Sequence, residues 1–246
     1  MGIIDIHTHM LYDIDDGAKD SEMSLALMGM DYEQGVRGIF CTNHSYGMEE
    51  GYANYHRKFE KLSKVAAGRY PGLSLYKGCE IYCCREEMPD IIRYIRKDIY
   101  PVMNDTNYVL LEFDPYVTNG MEEMHYCLEY ALNAGFIPII AHVERYKIIY
   151  DEPLEDLRRV KELGCLLQIN LYSVEQDQGH VGGGSRKELA NLFLKNRLVD
   201  FVGTDTHRLN YKSPEAAIGA EAIRKKYGDD YADMVLFKNA EKLLIQ

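Results

Sequence analysis

Five histidines of this chain, His7, His9, His44, His142 and His207, lie at or near the ends of short apolar runs with the pattern of β-strands. The runs cover 2–9, 38–44, 136–142 and 200–207, and two more runs of the same kind end in carboxylates at Glu80 and Glu112. Side chains two apart on a strand face the same way, so His7 shares a face with His9, and Asp205 with His207. Imidazole nitrogen and carboxylate oxygen without thiolate suit Zn²⁺, Mn²⁺ or Fe²⁺ rather than Ca²⁺ or an iron–sulfur cluster. Six strand ends equipped in this way imply a sheet rim that converges on a cluster of metal ions. Metal-assisted hydrolysis is the chemistry to expect of it.

The same alternation places Cys41 opposite His44 and Cys79 opposite Glu80, so neither thiol is expected in the ligand sphere. It places Asp5 on the His7/His9 face, as a carboxylate that would fix an imidazole tautomer. His56 and His125 read as helix-surface residues and His180 as a loop residue.

The elements that must position these groups alternate along the chain. Strands are expected at 3–9, 38–44, 73–82, 108–113, 137–142, 165–170 and 201–207. Helices are expected over 21–35, where Asp20 or Ser21 can cap the first turn, through 59–65, and over 120–134, 154–163, 185–196, 214–227 and 229–244. Seven strands with intervening helices predict an α/β fold of parallel βα units closing into a barrel, with the active groups on the C-terminal rim of the strands. No repeat or linker divides the chain, so 1–246 is expected to form a single domain.

At 46% hydrophobic and 27% charged, the composition is that of a soluble globular protein. No apolar stretch approaches the roughly 20 residues that span a bilayer, and strand-like sequence begins at Ile3. The expectation is a cytoplasmic protein with no direct membrane insertion. The six cysteines show no zinc-ribbon spacing. A net charge of −11 argues against nucleic acid as a partner, while an anionic substrate at a metal site stays compatible with it.

The chain resembles the polymerase-and-histidinol-phosphatase (PHP) superfamily of metal-dependent phosphoesterases, and within it the bacterial tyrosine-protein phosphatases of the CpsB/CapC type. The residues that carry the resemblance are Asp5-Ile-His-Thr-His9, Tyr12-Asp-Ile-Asp-Asp-Gly17, Gln34-Gly-Val-Arg37, Asn43-His44, Gly78-Cys-Glu-Ile-Tyr82, Leu110-Leu-Glu-Phe113, Ala141-His-Val-Glu-Arg-Tyr146 and Thr204-Asp-Thr-His207. The resemblance implies a distorted (β/α)₇ TIM-like barrel holding three divalent ions, with manganese expected and iron or zinc as alternatives. One ion would take His7, His9, Glu80 and Asp205; a second would share Glu80 and add Glu112 and His142; a third would use Asp16, His44 and His207. Which of Asp13, Asp15 and Asp16 binds stays open. Arg145 would hold the substrate phosphate, and Arg208, standing where the family pattern has Asn, is either a further phosphate contact or a surface charge.

The implied substrate is a phosphotyrosine protein, a membrane-anchored bacterial tyrosine kinase of capsule or exopolysaccharide synthesis. A metal-bridging hydroxide would attack its phosphate. Three divalent ions against four carboxylates leave a centre about two charges positive, matched to a phosphomonoester of roughly −1.5 to −2. The alternatives are a small-molecule phosphatase such as a histidinol-phosphate phosphatase, and a metal-dependent nuclease. Cys79 and Arg85 match the Cys-x₅-Arg spacing of thiol phosphatases, but the residues between are bulky and Glu80 would repel phosphate. The Gly-rich stretch 179–184 imitates a phosphate loop without its lysine and is expected to be a loop entering a helix near Ser185. Tyr12, Tyr46, Tyr52, Tyr82, Tyr116, Tyr146 and Tyr172 flank the expected site; such aromatics suit a phosphotyrosine groove, while half-buried packing accounts for any single one.

Overall fold

The computed structural model describes residues 2–48, 52–115, 121–149, 152–177, 180–181 and 184–245. Its elements in chain order are β1 (Ile3–Thr8), α1 (Ser21–Glu33), β2 (Val36–Cys41), α2 (Tyr52–Arg69), β3 (Ser74–Lys77), β4 (Glu80–Tyr82), α3 (Met88–Arg96), β5 (Tyr108–Glu112) and α4 (Met121–Asn133). There follow β6 (Ile137–Ile140), α5 (Pro153–Glu162), β7 (Leu166–Asn170), β8 (His180–Val181), β9 (Gly184–Ser185), α6 (Arg186–Lys195), β10 (Phe201–Gly203), α7 (Ala216–Tyr227) and α8 (Asp229–Asp233). The fold is α/β with two parallel sheets, β1-β2-β3 and β10-β7-β6-β5-β4.

The strands alternate between two apolar layers. Ile39, Leu111, Ile140 and Val202 join the layer under the helices, whereas Phe40, Leu110, Ile139 and Phe201 join a second cluster on the opposite face. Helix ends follow local rules. The Asp20 carboxylate accepts the Met23 N–H at 2.8 Å to cap α1, and Ser185 with Glu188 forms a capping box on α6.

Several features depart from the expected elements. The strand expected over 73–82 is broken at Gly78 and Cys79, where the Tyr55 hydroxyl donates to the carbonyls of Cys41 and Gly78, both at 2.9 Å. The break passes the chain from one sheet to the other, since β3 pairs with β2 and β4 with β5. The strand expected to reach His207 stops at Gly203, because Asp205 takes a left-handed φ of 55°. A helix with no counterpart in the expected set, α3, spans part of the region between 83 and 107; its signal is the i, i+3, i+4, i+7 spacing of the buried Met88, Ile91, Ile92 and Ile95. The helix expected over 229–244 is instead the short α8, a π-helical turn Met234–Lys238 and a 3₁₀ turn Ala240–Leu243.

His180 lies in β8, which pairs antiparallel with β9, rather than in a loop. The rest of the Gly-rich stretch (Gly179, Gly182 and Gly183) lies outside the described residues, as do Tyr116 and the side chain of Tyr52. Among the described residues no helix is long and apolar enough to cross a membrane.

Candidate metal centre

The two sheets meet where β1 ends. The Asp205 N–H donates to the His7 carbonyl and the His9 N–H to the Thr206 carbonyl, each at 2.8 Å. These two bonds bring His7 and His9 against Asp205 and His207. On the far side, a bridge between His44 and Glu80 joins the end of β2 to β4.

Glu80 is the hub. Its Oε2 lies 3.1 Å from His7 Nε2, 3.2 Å from His9 Nε2 and 3.1 Å from His44 Nδ1, and its Oε1 lies 2.8 Å from His142 Nε2. Asp205 Oδ1 is 3.7 Å from His7 Nε2 and 3.4 Å from His9 Nε2, which brings His7, His9, Glu80 and Asp205 together as expected. Glu112 Oε1 is 3.3 Å from His142 Nε2 and joins them to Glu80. Asp16 Oδ1 lies 3.8 Å from His44 Nε2 and 3.6 Å from His207 Nε2. His44 therefore stands between two groups, because its Nδ1 faces Glu80 and Glu112 while its Nε2 faces Asp16. His9 also contributes a ligand atom to the Asp16 group.

Divalent cations fit these residues. Glu80 Oε2 is buried and makes no hydrogen bond although three imidazole nitrogens surround it. Donor lone pairs collected in this way, with no thiolate among them, are the ligand set of a transition-metal ion.

Neighbours set which imidazole nitrogen faces inward. His9 Nδ1 lies 2.7 Å from Asp15 Oδ2, His7 Nδ1 lies 3.2 Å from Gln168 Oε1, and His207 Nδ1 lies 2.8 Å from the Asp205 carbonyl. Each contact places a proton on Nδ1 and leaves Nε2 as the ligand atom. Burial lowers the basicity of His207 and so favours its neutral imidazole. In Asp205 burial opposes ionisation, but Lys212 and the imidazoles hold the carboxyl well below the usual range.

The Asp-Asp-Gly segment separates into distinct roles. Asp13 is exposed and paired with Lys58 at 2.9 Å. The Asp15 side chain is buried; besides pairing with His9 it accepts the N–H of His44 at 2.7 Å and the amide of Asn43 at 2.8 Å. Only Asp16 turns its carboxylate toward His44 and His207. A Cβ at Gly17 would lie 2.3 Å from the His9 carbonyl, so this turn admits no side chain.

Asp5 departs from its expected place. Thr8 opposes Cys41 while Asp5 opposes Ile39, three residues of β1 against two of β2, and this bulge breaks the alternation between Asp5 and His7. Its carboxylate accepts instead from the N–H groups of His7 and Thr204 and from the Thr204 hydroxyl, at 3.1, 3.0 and 2.6 Å. Gln168, absent from the sequence reading, takes the role foreseen for Asp5: its Oε1 also accepts the His142 N–H at 2.7 Å. A Gln168→Leu variant is expected to weaken Mn²⁺ affinity about 10- to 100-fold, measured by metal titration of the chelated protein. An unchanged titration would deny Gln168 this role.

Three donors occupy the outer oxygen of Asp205: Arg145 Nη1 at 3.2 Å, Lys212 Nζ at 2.8 Å and Asn170 Nδ2 at 3.2 Å. Lys212 is a second cation that the sequence did not signal; it reaches the site because the Arg208–Tyr211 turn folds back and the His207 N–H donates to the Lys212 carbonyl at 3.0 Å. Arg208 donates through Nε to the carbonyls of Asp16 and Gly17, at 2.7 and 3.3 Å, and so holds the Asp16 turn in place. Tyr146 and Tyr172 are buried, with their hydroxyls bonded to the Phe113 N–H and the Asn170 amide. Cys79 is buried in the apolar layer under the helices, and burial, then the Glu80 charge, pushes its thiol well up. A Cys79→Ser variant is expected to keep full catalytic activity; loss of activity with the metal content intact would favour a thiol mechanism.

The family model for capsular polysaccharide synthesis, CpsB/CapC, matches residues 3–245. The chain belongs to the CpsB/CapC family. A relative in the family, the tyrosine-protein phosphatase CpsB of Streptococcus pneumoniae, is 33% identical over 250 residues, covering 99% of this chain and 98% of its own. A solved structure described as YwqE from Bacillus subtilis and CpsB from Streptococcus pneumoniae, metal-dependent tyrosine phosphatases, superposes with a TM-score of 0.82 at 27% identity, over 98% of this chain and 94% of that one. The histidinol phosphate phosphatase of Lactococcus lactis shares the fold, with a TM-score of 0.58 at 16% identity over 92% of this chain and 94% of that one.

Proposed function

We propose that the chain is a metal-dependent protein-tyrosine phosphatase that acts in the cytoplasm on a phosphotyrosine protein, namely a membrane-anchored tyrosine kinase of capsule or exopolysaccharide synthesis. The observation that carries the proposal is Glu80 amid four imidazoles, in a chain whose family relatives are named tyrosine-protein phosphatases. The proposed architecture is one domain over 1–246, a distorted (β/α)₇ barrel. It is supported by the hydrogen bonds that His7 and His9 make with Asp205 and Thr206 at one sheet junction, and by the direct passage of the chain from β3 to β4 at the other.

Three divalent ions, manganese by preference, are proposed on His7, His9, Glu80 and Asp205; on Glu80, Glu112 and His142; and on Asp16, His44 and His207. When bound, such ions polarise the phosphate and make a water acidic enough to serve as nucleophile near neutral pH. Arg145 is proposed to grip the phosphate, with Lys212 beside it on the same carboxylate, so that two fixed cations compensate the dianion. Asp15, Gln168 and Arg208 hold ligand residues in place rather than touching substrate. A phenolate leaving group, with a conjugate pKa near 10, needs less proton donation than an alkoxide.

The test is phosphate release by metal-stripped protein resupplied with Mn²⁺, on a phosphotyrosine peptide, histidinol phosphate and a phosphoserine peptide. A Mn²⁺-dependent preference for phosphotyrosine is expected. A preference for histidinol phosphate would keep the centre and overturn the substrate.

A further inference from the structure

We infer that Tyr46 and Tyr211 form an aromatic jaw at the outer edge of the metal centre that grips the ring of the substrate's phosphotyrosine. The inference rests on the tyrosine-phosphatase reading above and adds the residues that would recognise the aryl group.

The two imidazoles that aim Nε2 at Asp16 each carry a tyrosine on their flank. Tyr46 stacks on His44 with ring centroids 4.9 Å apart and an interplanar angle of 23°. Tyr211 meets His207 edge-on at 6.1 Å and 84°. Both rings are open to solvent, at 61% and 57% exposure, so neither is held by core packing. The described residues include eight exposed large hydrophobic side chains, and four of them, Tyr46, Tyr82, Leu209 and Tyr211, belong to the segments around the centre. Apolar surface gathered at one rim marks a binding surface more than scattered exposure does.

Hydrogen bonds and close packing tie both supports to the segments of the centre. Tyr46 sits in the 3₁₀ turn Ser45–Gly47 directly after a ligand, and its hydroxyl donates to Asp16 Oδ1 at 3.3 Å. A Cβ at Gly47 would lie 2.1 Å from the Ile14 carbonyl, so the turn is pressed against the Asp-Asp-Gly segment. The Ser45 hydroxyl accepts the Tyr82 N–H at 3.3 Å, which ties this turn to the end of β4. Tyr211 is held by reciprocal backbone bonds with Arg208, at 2.9 and 3.3 Å. Flat aromatic surfaces on fixed backbone lose little freedom on gripping another ring. An aliphatic phosphoserine stem offers them no ring, whereas a phosphotyrosine places one next to the phosphate it carries.

The test measures inhibition of phosphotyrosine-peptide hydrolysis by phenylphosphonate and by methylphosphonate, in the Mn²⁺-loaded wild type and in Tyr46→Ala/Tyr211→Ala. The jaw predicts that the preference for the phenyl over the methyl compound, taken as the ratio of their inhibition constants, falls about tenfold in the double variant. Tyr46→Phe and Tyr211→Phe are expected to keep the wild-type ratio, which separates the ring from the Tyr46 hydroxyl bond to Asp16. A wild type active on phosphotyrosine whose ratio survives both alanine changes would overturn the jaw and leave the function standing. A wild type with no phosphotyrosine activity would overturn both.

Discussion

Replacing Glu80 with Gln is expected to reduce phosphotyrosine hydrolysis by about 10³-fold or more, the equivalent of several kcal/mol of transition-state stabilisation. One carboxylate lies within 3.2 Å of His7, His9, His44 and His142, so it serves each of the proposed ion positions on the β4 side. Gln keeps the shape but offers one oxygen and one NH₂ group, and the NH₂ would donate to imidazole lone pairs that should face a cation. Bound metal per chain, read by elemental analysis, should fall along with kcat/KM. Glu112→Gln is expected to cost less, about 10- to 100-fold, because Glu112 is half-buried at the rim and, among the described residues, faces two imidazoles, His44 and His142, where Glu80 faces four. A Glu80→Gln protein with its full metal content and activity within tenfold of wild type would refute the centre.

Chelation followed by Mn²⁺ addition is expected to abolish and then restore activity, and to move the melting temperature with it. An ion at a hundred times its dissociation constant adds about 2.7 kcal/mol per site to the folded state. For a chain of this size roughly 2–4 °C accompanies each kcal/mol, so one tight site predicts a rise of about 5–10 °C. The buried carboxylates Glu80 and Asp205 already face imidazoles, so the chelated chain is expected to stay folded and only to melt earlier. Scanning calorimetry with and without Mn²⁺ checks this; unchanged melting together with full activity after chelation would exclude a metal role.

Most of the residues that the structure gathers around Glu80 could be read from the sequence because they sit at or just past strand ends, where apolar runs give way to polar residues. The exceptions share a physical cause: contacts made by turns and irregular backbone follow no period. The β1 bulge displaced Asp5 from its expected face. That Asp16 rather than Asp13 or Asp15 faces the Nε2 atoms of His44 and His207 depends on Lys58, His9 and a turn too tight for a side chain at Gly17. Gln168 arrives from β7, far from any ligand motif, and Lys212 is brought back beside Asp205 only by the turn that follows His207. Left-handed backbone at His142 and Asp205 is equally invisible to pattern reading. Each such residue costs about 1–3 kcal/mol, held in place here by Gln168 and by the His7 carbonyl. Among the helices, α3 is missed although its spacing is regular, because its apolar residues are interleaved with charges over only nine residues.

The hydrogen bonds between β1 and the segment after β10 have a consequence for biosynthesis. Asp5 and Thr204, the pair beneath the centre, are 199 residues apart in the chain. During translation the first histidines leave the ribosome long before Asp205 and His207 exist, so a nascent chain cannot assemble the full ligand set. Closing so long a loop comes late and slowly in folding. Completion of the centre is thereby deferred until nearly every other element has been made, and a chain cut short before residue 205 would lack the residues needed for it.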